Sequence, residues 1–473
     1  MIFRRKYTMT SLIAFMIFFL TANVYFVQIL FDEKRFQPEE ISSSEEKTTP
    51  KSSAKISIPP PKQIKLATIY ADRKIKEKLS NLSYTYYKRN ENSYPILKQL
   101  IDDLNETVPF SSILLSIADE WATHKQLVPT PAPALGSLLR SLCTSRIVKA
   151  EISGKGTQLK LLLTLEGGKQ GLFKPQWYER NKVIWGTSVT GKDRHNGEVA
   201  AFHLSLLLGL PRAPITVGRR LHLPLEIIPV ASEALRNTFF FKGNATCFYG
   251  VCRYCTPKEP VCGKTLDQKG RGSYMEGALS MWLPSNLLPL KKYKNPWQRS
   301  YKSGKAVRWE VSKNYCHHIF DGIKSHGSSR NIFSGNGIIV KNRLLDLIDA
   351  AIFDFMIGNG DRHQLETFER FPNSMILLVD NGKSFGNPYV DHIDILAPLY
   401  QCCIIRRETW ERLLLLSGGV LGEALEHLLR PSHLAPLLNP PHYVALNRRL
   451  LHIYAAVEMC LDNKTMEQVI IDS

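Results

Sequence analysis

The arrangement of apolar and polar positions divides the chain into a strand-rich first part and a helix-rich second part. Residues 147–152 alternate, 158–165 run apolar and 171–175 follow a Gly167-Gly168 turn. These predict three strands joined by glycine turns, the first turn at Gly154-Lys155-Gly156. Residues 199–208 read as a helix with Glu198 in its first turn and Gly209 closing it. Strands are expected again at 217–219 and 225–230. Further on, Leu344, Leu345, Ile348, Ile352, Phe355 and Met356 fall at helical spacing, and that pattern stops at Gly358-Asn359-Gly360. Residues 375–379 are wholly apolar and predict a short buried strand, with Asp380 at its end and an Asn381-Gly382 turn behind it. Helices are also predicted at 111–126, 135–143, 407–416, 420–429 and 444–461, with looser helical spacing across 66–105. No internal repeat is found.

The N-terminus sets the compartment. Arg4, Arg5 and Lys6 precede an apolar run over 9–31, long enough to span a bilayer and longer than the core of a cleavable signal. The positive charges come first, so residues 1–8 are expected to stay cytoplasmic and the rest to be luminal. Residues 32–110 then form a luminal stem, stiffened at Pro59-Pro60-Pro61, with some helix. Nine cysteines suit an oxidising lumen. Cys252-Arg-Tyr-Cys255 also has the spacing of a zinc or redox pair, but zinc needs a second close ligand pair and no histidine stands near this cluster. Sequons at Asn81, Asn105, Asn244 and Asn463 agree with secretory passage.

The net charge of +18 favours acidic partners without choosing among nucleotides, anionic glycans, acidic proteins, nucleic acid and membrane. Lys291-Lys292-Tyr293-Lys294 and Trp297-Gln298-Arg299 form a basic, aromatic stretch. Such rings stack on sugars as readily as on bases, so no nucleic-acid partner is inferred. Residues 325–337 are polar and glycine-rich and predict a mobile loop.

Two carboxylates, Asp361 and Asp380, stand at the tips of two predicted buried elements. That suits phosphoryl transfer, in which one Asp accepts a hydroxyl proton and the other holds the metal on the ATP phosphates. Lys174, ending the third strand, has the position of a lysine that reaches the α- and β-phosphates, and Glu198 that of its helical partner. Asp193 adds negative charge suited to a divalent cation. The same residues also fit a helix C-terminus, an Asx turn, a hairpin lysine and a helix N-terminal glutamate.

In order along the chain, GTQLK at Gly156, FKP at Phe173, DRHNGEVAAFHL at Asp193, CFYGVCRYC at Cys247, EGALSMWLP at Glu276, NPWQRSY at Asn295, IGNGDRH at Ile357, DNGKSFGNP at Asp380 and APLYQCCIIR at Ala397 resemble one family. It is the secretory-pathway kinase family that includes the Golgi casein kinase and the glycosaminoglycan xylosylkinase, and the likeness is stronger to the second branch. The resemblance implies an α+β, atypical bilobal protein-kinase-like fold. Its β-rich N-lobe would span 111–279, including the cysteine-rich loop, and its mostly helical C-lobe 280–473. It implies transfer of the ATP γ-phosphate to the 2-hydroxyl of xylose in the galactosyl-xylose linker of proteoglycan core proteins, promoting glycosaminoglycan assembly. The site would be a Golgi membrane of type II topology.

By motif, Asp361 would be the catalytic base, Lys174 and Gln158 would bind phosphates, and Asp193 and Glu366 would lie at the nucleotide. Ser280, Met281, Trp282 and Leu283 would form the hinge. Asp380 and Glu198 would hold manganese, with magnesium as the alternative. The implied disulfides pair Cys247 with Cys262, Cys252 with Cys255, Cys316 with Cys402 and Cys403 with Cys460, leaving Cys143 unpaired. A homodimer or a heteromer with a relative is compatible with this. The family loop DRHHYE is here Asp361-Arg362-His363-Gln364-Leu365-Glu366, so acceptor contacts near Gln364 and Leu365 depart from the pattern. Two alternatives are a secretory Ser/Thr protein kinase and a pseudokinase activator. Retention of Lys174, Glu198, Asp361 and Asp380 argues against the second.

Overall fold

Leu161, Leu163 and Leu165 are fully buried while the residues between them are not, and this alternation fixes the inner face of the first sheet. In a computed structural model, the structure describes residues 65–105, 113–154, 156–253, 255–265, 273–302, 304–319, 332–333 and 337–472. Strands β1 (Ile147–Ile152), β2 (Leu161–Leu165), β3 (Gln170–Pro175), β4 (Thr216–His222) and β5 (Ser273–Met281) pair antiparallel in the order β1-β2-β3-β5-β4, with the short Lys264–Thr265 strand also on β5. Phe173 lies opposite Leu279, and Lys174 opposite Ala278. Phe173 and Leu279 are fully buried on one face, and Lys174, one residue on, is carried to the other face of β3.

The helix α1 (His195–Leu207) packs behind this sheet against β4, β5 and the C-terminal helix α2 (Val420–Leu429). All thirteen of its residues are buried. A helix enclosed all round has no polar face to spare for solvent, and its Ala200, Ala201, Phe202, Leu204 and Leu207 pack on two sides at once.

The second half is built on α3 (Gly337–Ile357) and α4 (Pro440–Leu461). Ile348, Ile352, Phe355 and Met356 are buried along α3, and the helix ends at Gly358, whose φ of +70° makes it a left-handed terminus. Three acids of α3 are buried and paired: Asp346 and Asp349 with Arg212 and Arg406, and Asp354 with Arg362. The helix Leu66–Ser80 packs on α4, burying Ala67, Ala71 and Ile75. Four disulfides are present, Cys247–Cys262, Cys252–Cys255, Cys316–Cys402 and Cys403–Cys460, and Cys143 is free.

Several expectations need correction. Residues 225–230 are not a strand but helical turns, Leu223–Ile227 and Ile228–Val230. Pro224 and Pro229 sit in their first turns, His222 Nδ1 accepts from the Leu225 N–H at 3.1 Å, and the Glu226 carboxylate accepts from the His222 N–H at 2.6 Å, so local bonds replace a ladder. Residues 375–378 are buried, Val379 partly so, and the run makes only one bridge, Leu377 to Glu366. Their N–H groups are shared out: Met375 donates to the His124 carbonyl and Leu378 to that of Arg212. Residues 158–160 precede β2 instead of belonging to it. The predicted helix over 111–126 is shorter, Leu114–Trp121, because the Thr123 hydroxyl accepts from the Lys125 and Gln126 N–H groups and turns the chain. α4 starts earlier than 444, on a proline at its first position.

The basic stretch at 291–299 is only partly a surface. Trp297 is buried and donates to Gln401, and Arg299 is paired with Asp394. The expected membrane anchor at 9–31, residues 32–64 and 106–110 of the stem, and most of the 325–337 loop lie outside the described residues. No helix among the described residues is long and apolar enough to cross a membrane.

Candidate active site

Lys174 is the centre. Its ammonium bonds Asp193 Oδ2 at 3.0 Å, Glu198 Oε1 at 2.5 Å and Asp380 Oδ1 at 2.5 Å. One strand, one loop and helix of the first half, and one loop of the second half thus meet on a single side chain. Burial works against the lysine's charge, but Asp193, Asp380 and Glu198 together outweigh it and hold Lys174 firmly protonated. Lys174 in turn holds the Asp380 carboxyl well below the usual carboxylate range. Glu198 is pushed upward, because its burial and the neighbouring acids exceed what Lys174 returns. Three acids against one lysine leave surplus negative charge.

Oxygens of Asp193, Glu198 and Asp380 all lie within 4.8 Å of one another. Hard carboxylate donors at this spacing fit Mg²⁺ or Mn²⁺. The side chain of Asp380 is 67% exposed, so the group is open to solvent on that side.

Backbone bonds hold the cluster in register. The Arg194 N–H donates to the Gly382 carbonyl at 2.7 Å and its guanidinium to the carbonyls of Lys383 and Ser384. A Cβ on Gly382 would sit 2.6 Å from Asp193 Cβ and Cγ, so only glycine allows this approach. Asp380 itself takes a left-handed φ of 59°, a conformation that Asp tolerates better than most residues. Gln158 reaches the cluster by a reciprocal pair: its Nε2 donates to Asp193 Oδ1 at 2.9 Å and its Oε1 accepts from the Asp193 N–H at 2.8 Å.

Asp361 follows α3 on its own loop. Its N–H donates to Asn359 Oδ1 at 3.0 Å, and the Tyr301 hydroxyl donates to its Oδ1. Burial and that bond to Asp361 raise the Tyr301 phenol, and the bond to Asp361 raises His363. The buried Arg362 guanidinium spans two loops: it meets Asp354 through Nε at 2.8 Å and Nη2 at 2.7 Å, and Asn381 Oδ1 at 2.7 Å, and it also donates to the Val379 carbonyl. The Asn381 N–H then donates to Glu198 Oε2 at 3.1 Å.

The other residues expected at the nucleotide stand outside the three-acid cluster. Glu366, opposite Lys292 on the paired strands Leu290–Lys294 and Gln364–Phe368, forms an ion pair with it at 2.8 Å and is not among the three clustered acids. At the predicted hinge, Ser280 accepts from Thr216, while the N–H groups of Met281 and Trp282 are committed to Ile215 and Gln170; Leu283 lies just beyond β5. Tyr301, Asp354, Arg362 and Asn381 were not foreseen. Arg362 and Asn381 each adjoin a predicted Asp in sequence, which was the available signal.

A lysine from the third strand, a glutamate from the next helix and two loop aspartates define a kinase-like site on a mixed sheet-and-helix fold. The family model described as "Golgi casein kinase, C-terminal, Fam20" matches residues 114–469, and the chain belongs to this family. It is 46% identical to the Homo sapiens protein named glycosaminoglycan xylosylkinase over 357 residues, 75% of this chain and 82% of that one. A solved structure of hydra Fam20 with sugar is 40% identical, with a TM-score of 0.68, covering 76% of this chain and 98% of that chain. The Golgi casein kinase with Mn/ADP bound is 29% identical, also at a TM-score of 0.68, covering 81% and 93%.

Proposed function

We propose that the chain is a luminal kinase of the Golgi that transfers the γ-phosphoryl group of ATP to the 2-hydroxyl of xylose in the galactosyl-xylose linker of proteoglycan core proteins. The observation that carries this is the convergence of Asp193, Glu198 and Asp380 on Lys174, in a chain 46% identical to a protein named for that acceptor. The acceptor oxygen forms a bond to the γ-phosphorus as the bond to the β-bridging oxygen breaks. Asp361 takes the hydroxyl proton and ADP leaves. Lys174 meets phosphate oxygens, with Gln158 holding Asp193 in place. Asp380, Glu198 and Asp193 would hold Mn²⁺, or Mg²⁺ in its place, and such a cation neutralises charge on the phosphates. The four disulfides and the exposure of Asn81, Asn105, Asn244 and Asn463 suit a luminal enzyme anchored through residues 9–31.

The test is phosphate transfer from labelled ATP with manganese, offering a galactosyl-xyloside and an acidic Ser peptide side by side. Label on the xyloside alone supports the proposal. Label on the peptide alone moves the chain to protein phosphorylation. Label on neither, with nucleotide still bound, makes it a pseudokinase.

A further inference from the structure

The strand Leu290–Lys294 runs beside the Asp361 loop. The Asn295 N–H donates to the His363 carbonyl at 3.0 Å, which fixes the end of that strand to the loop. Lys292 and Lys294 lie two apart and so share one face. Their cross-strand partners differ: Lys292 faces Glu366 and is neutralised by it at 2.8 Å, whereas Lys294 faces the uncharged Gln364. Lys294 is exposed and makes no ion pair among the described residues. Opposite charges across a strand pair stabilise a sheet modestly, and that accounts for Lys292. It does not account for Lys294.

Lys294, Lys292, Tyr293, Gln298, His363 and Gln364 line an open cleft of ≈ 290 Å³. Gln364 is three residues from Asp361, so the cleft lies within about 10 Å of chain from the proposed base. A group held there stands near the proposed base.

We infer that this cleft is an anion subsite in which Lys294, with Gln364 and His363 beside it, receives a carboxylate of the polypeptide that carries the acceptor sugar. The inference rests on the reading of the chain as a sugar kinase. An acidic side chain flanking the attachment serine fits better than an anionic glycan. A polyanion is held by a row of unpaired cations, and on this face Lys292 is paired with Glu366 while Arg299 is withdrawn onto Asp394. One unpaired ammonium suits one carboxylate.

The experiment compares the full chain with its Lys294→Glu and Lys294→Gln variants on three acceptors: a neutral galactosyl-xyloside, a xylosylated peptide with Asp or Glu flanking the serine, and the same glycopeptide with Asn or Gln there. The wild type is expected to show the lower KM on the acidic glycopeptide. Lys294→Glu should raise that KM by about 10-fold or more, with kcat unchanged, and Lys294→Gln by less. Neither should alter transfer to the neutral xyloside. An unchanged KM on the acidic glycopeptide overturns the inference, as does equal loss on all three acceptors, which marks a structural role. A variant that loses only heparin inhibition, with its glycopeptide KM intact, also overturns it and assigns the cleft to anionic glycans. If the wild type labels peptides and no xyloside, the sugar-kinase proposal fails instead, and the same charge comparison is made on acidic and neutral Ser peptides.

Discussion

Arg362 and Asn381 are joined by a 2.7 Å hydrogen bond, and through it the loop carrying Asp361 is tied to the loop carrying Asp380. The same guanidinium neutralises the buried Asp354. Arg362→Gln leaves that carboxylate unpaired, which costs about 3–5 kcal/mol. Denaturant unfolding should show the loss. Asn381→Ala removes the far end of the tie and should lower the transfer rate by more than its effect on stability explains. A variant with normal transfer would show that the two loops are positioned independently.

Asp361 and Asp380 should separate chemistry from binding. Asp361→Ala should abolish phosphate transfer while nucleotide affinity stays near that of the wild type. Asp380→Ala should abolish transfer and also remove metal-dependent nucleotide binding. Full activity in either variant would sink the assignment. Calorimetric titration with ADP, with and without manganese, reads the difference.

The three acids around Lys174 should bind a divalent ion before any nucleotide arrives. Mn²⁺ at ~100 times its Kd should stabilise the fold by about 2.7 kcal/mol, visible as a raised melting temperature. Chelation should reverse the rise. Asp193→Asn and Asp380→Asn should each shrink it, and an unmoved melting temperature would mean that the acids serve only Lys174.

His442, at the start of α4, should make stability depend on pH. Burial first, then Arg449 and Arg194, lower its pKa from 6.5 to about 3. It packs edge-on to Phe385, which lies in the same loop as Asp380. The folded state therefore binds fewer protons than the unfolded chain between those values. Its stabilisation is complete above the unfolded pKa and is lost as pH falls toward the folded one. Going from pH ~7.5 to ~5.5 should cost on the order of 1 kcal/mol from this group, and His442→Leu should flatten the profile by that amount. An unchanged slope in the variant would place the dependence elsewhere.

The elements legible in the sequence were those with a strong period or a sharp stop. The helix ending at Gly358 and the helix carrying Glu198 were predicted because apolar spacing and glycine termini agreed. Residues 225–230 were misread because apolar runs look alike whether they are strands or proline-led turns. The positions of Lys174, Asp193, Glu198 and Asp380 could be anticipated, since each closes or opens an element. Their meeting on one ammonium could not be, because it depends on the Arg194 contacts to Gly382, Lys383 and Ser384 across nearly two hundred residues. Trp297 and Arg299 were read as surface for the converse reason: composition does not reveal that Gln401 and Asp394 are waiting for them.

Cys402 and Cys403 are neighbours in sequence, yet one is bonded to Cys316 and the other to Cys460. During synthesis Cys316 leaves the ribosome first, the adjacent pair follows together, and Cys460 comes last. For as long as Cys460 is still to emerge, two thiols compete for one partner. Four cysteines admit three pairings, and the error most open to the nascent chain joins Cys316 to Cys403. A chain caught in that pairing reaches the native one only by disulfide exchange once Cys460 has emerged. The yield of active protein should follow the isomerase supply of the host cell as much as the quality of the sequence.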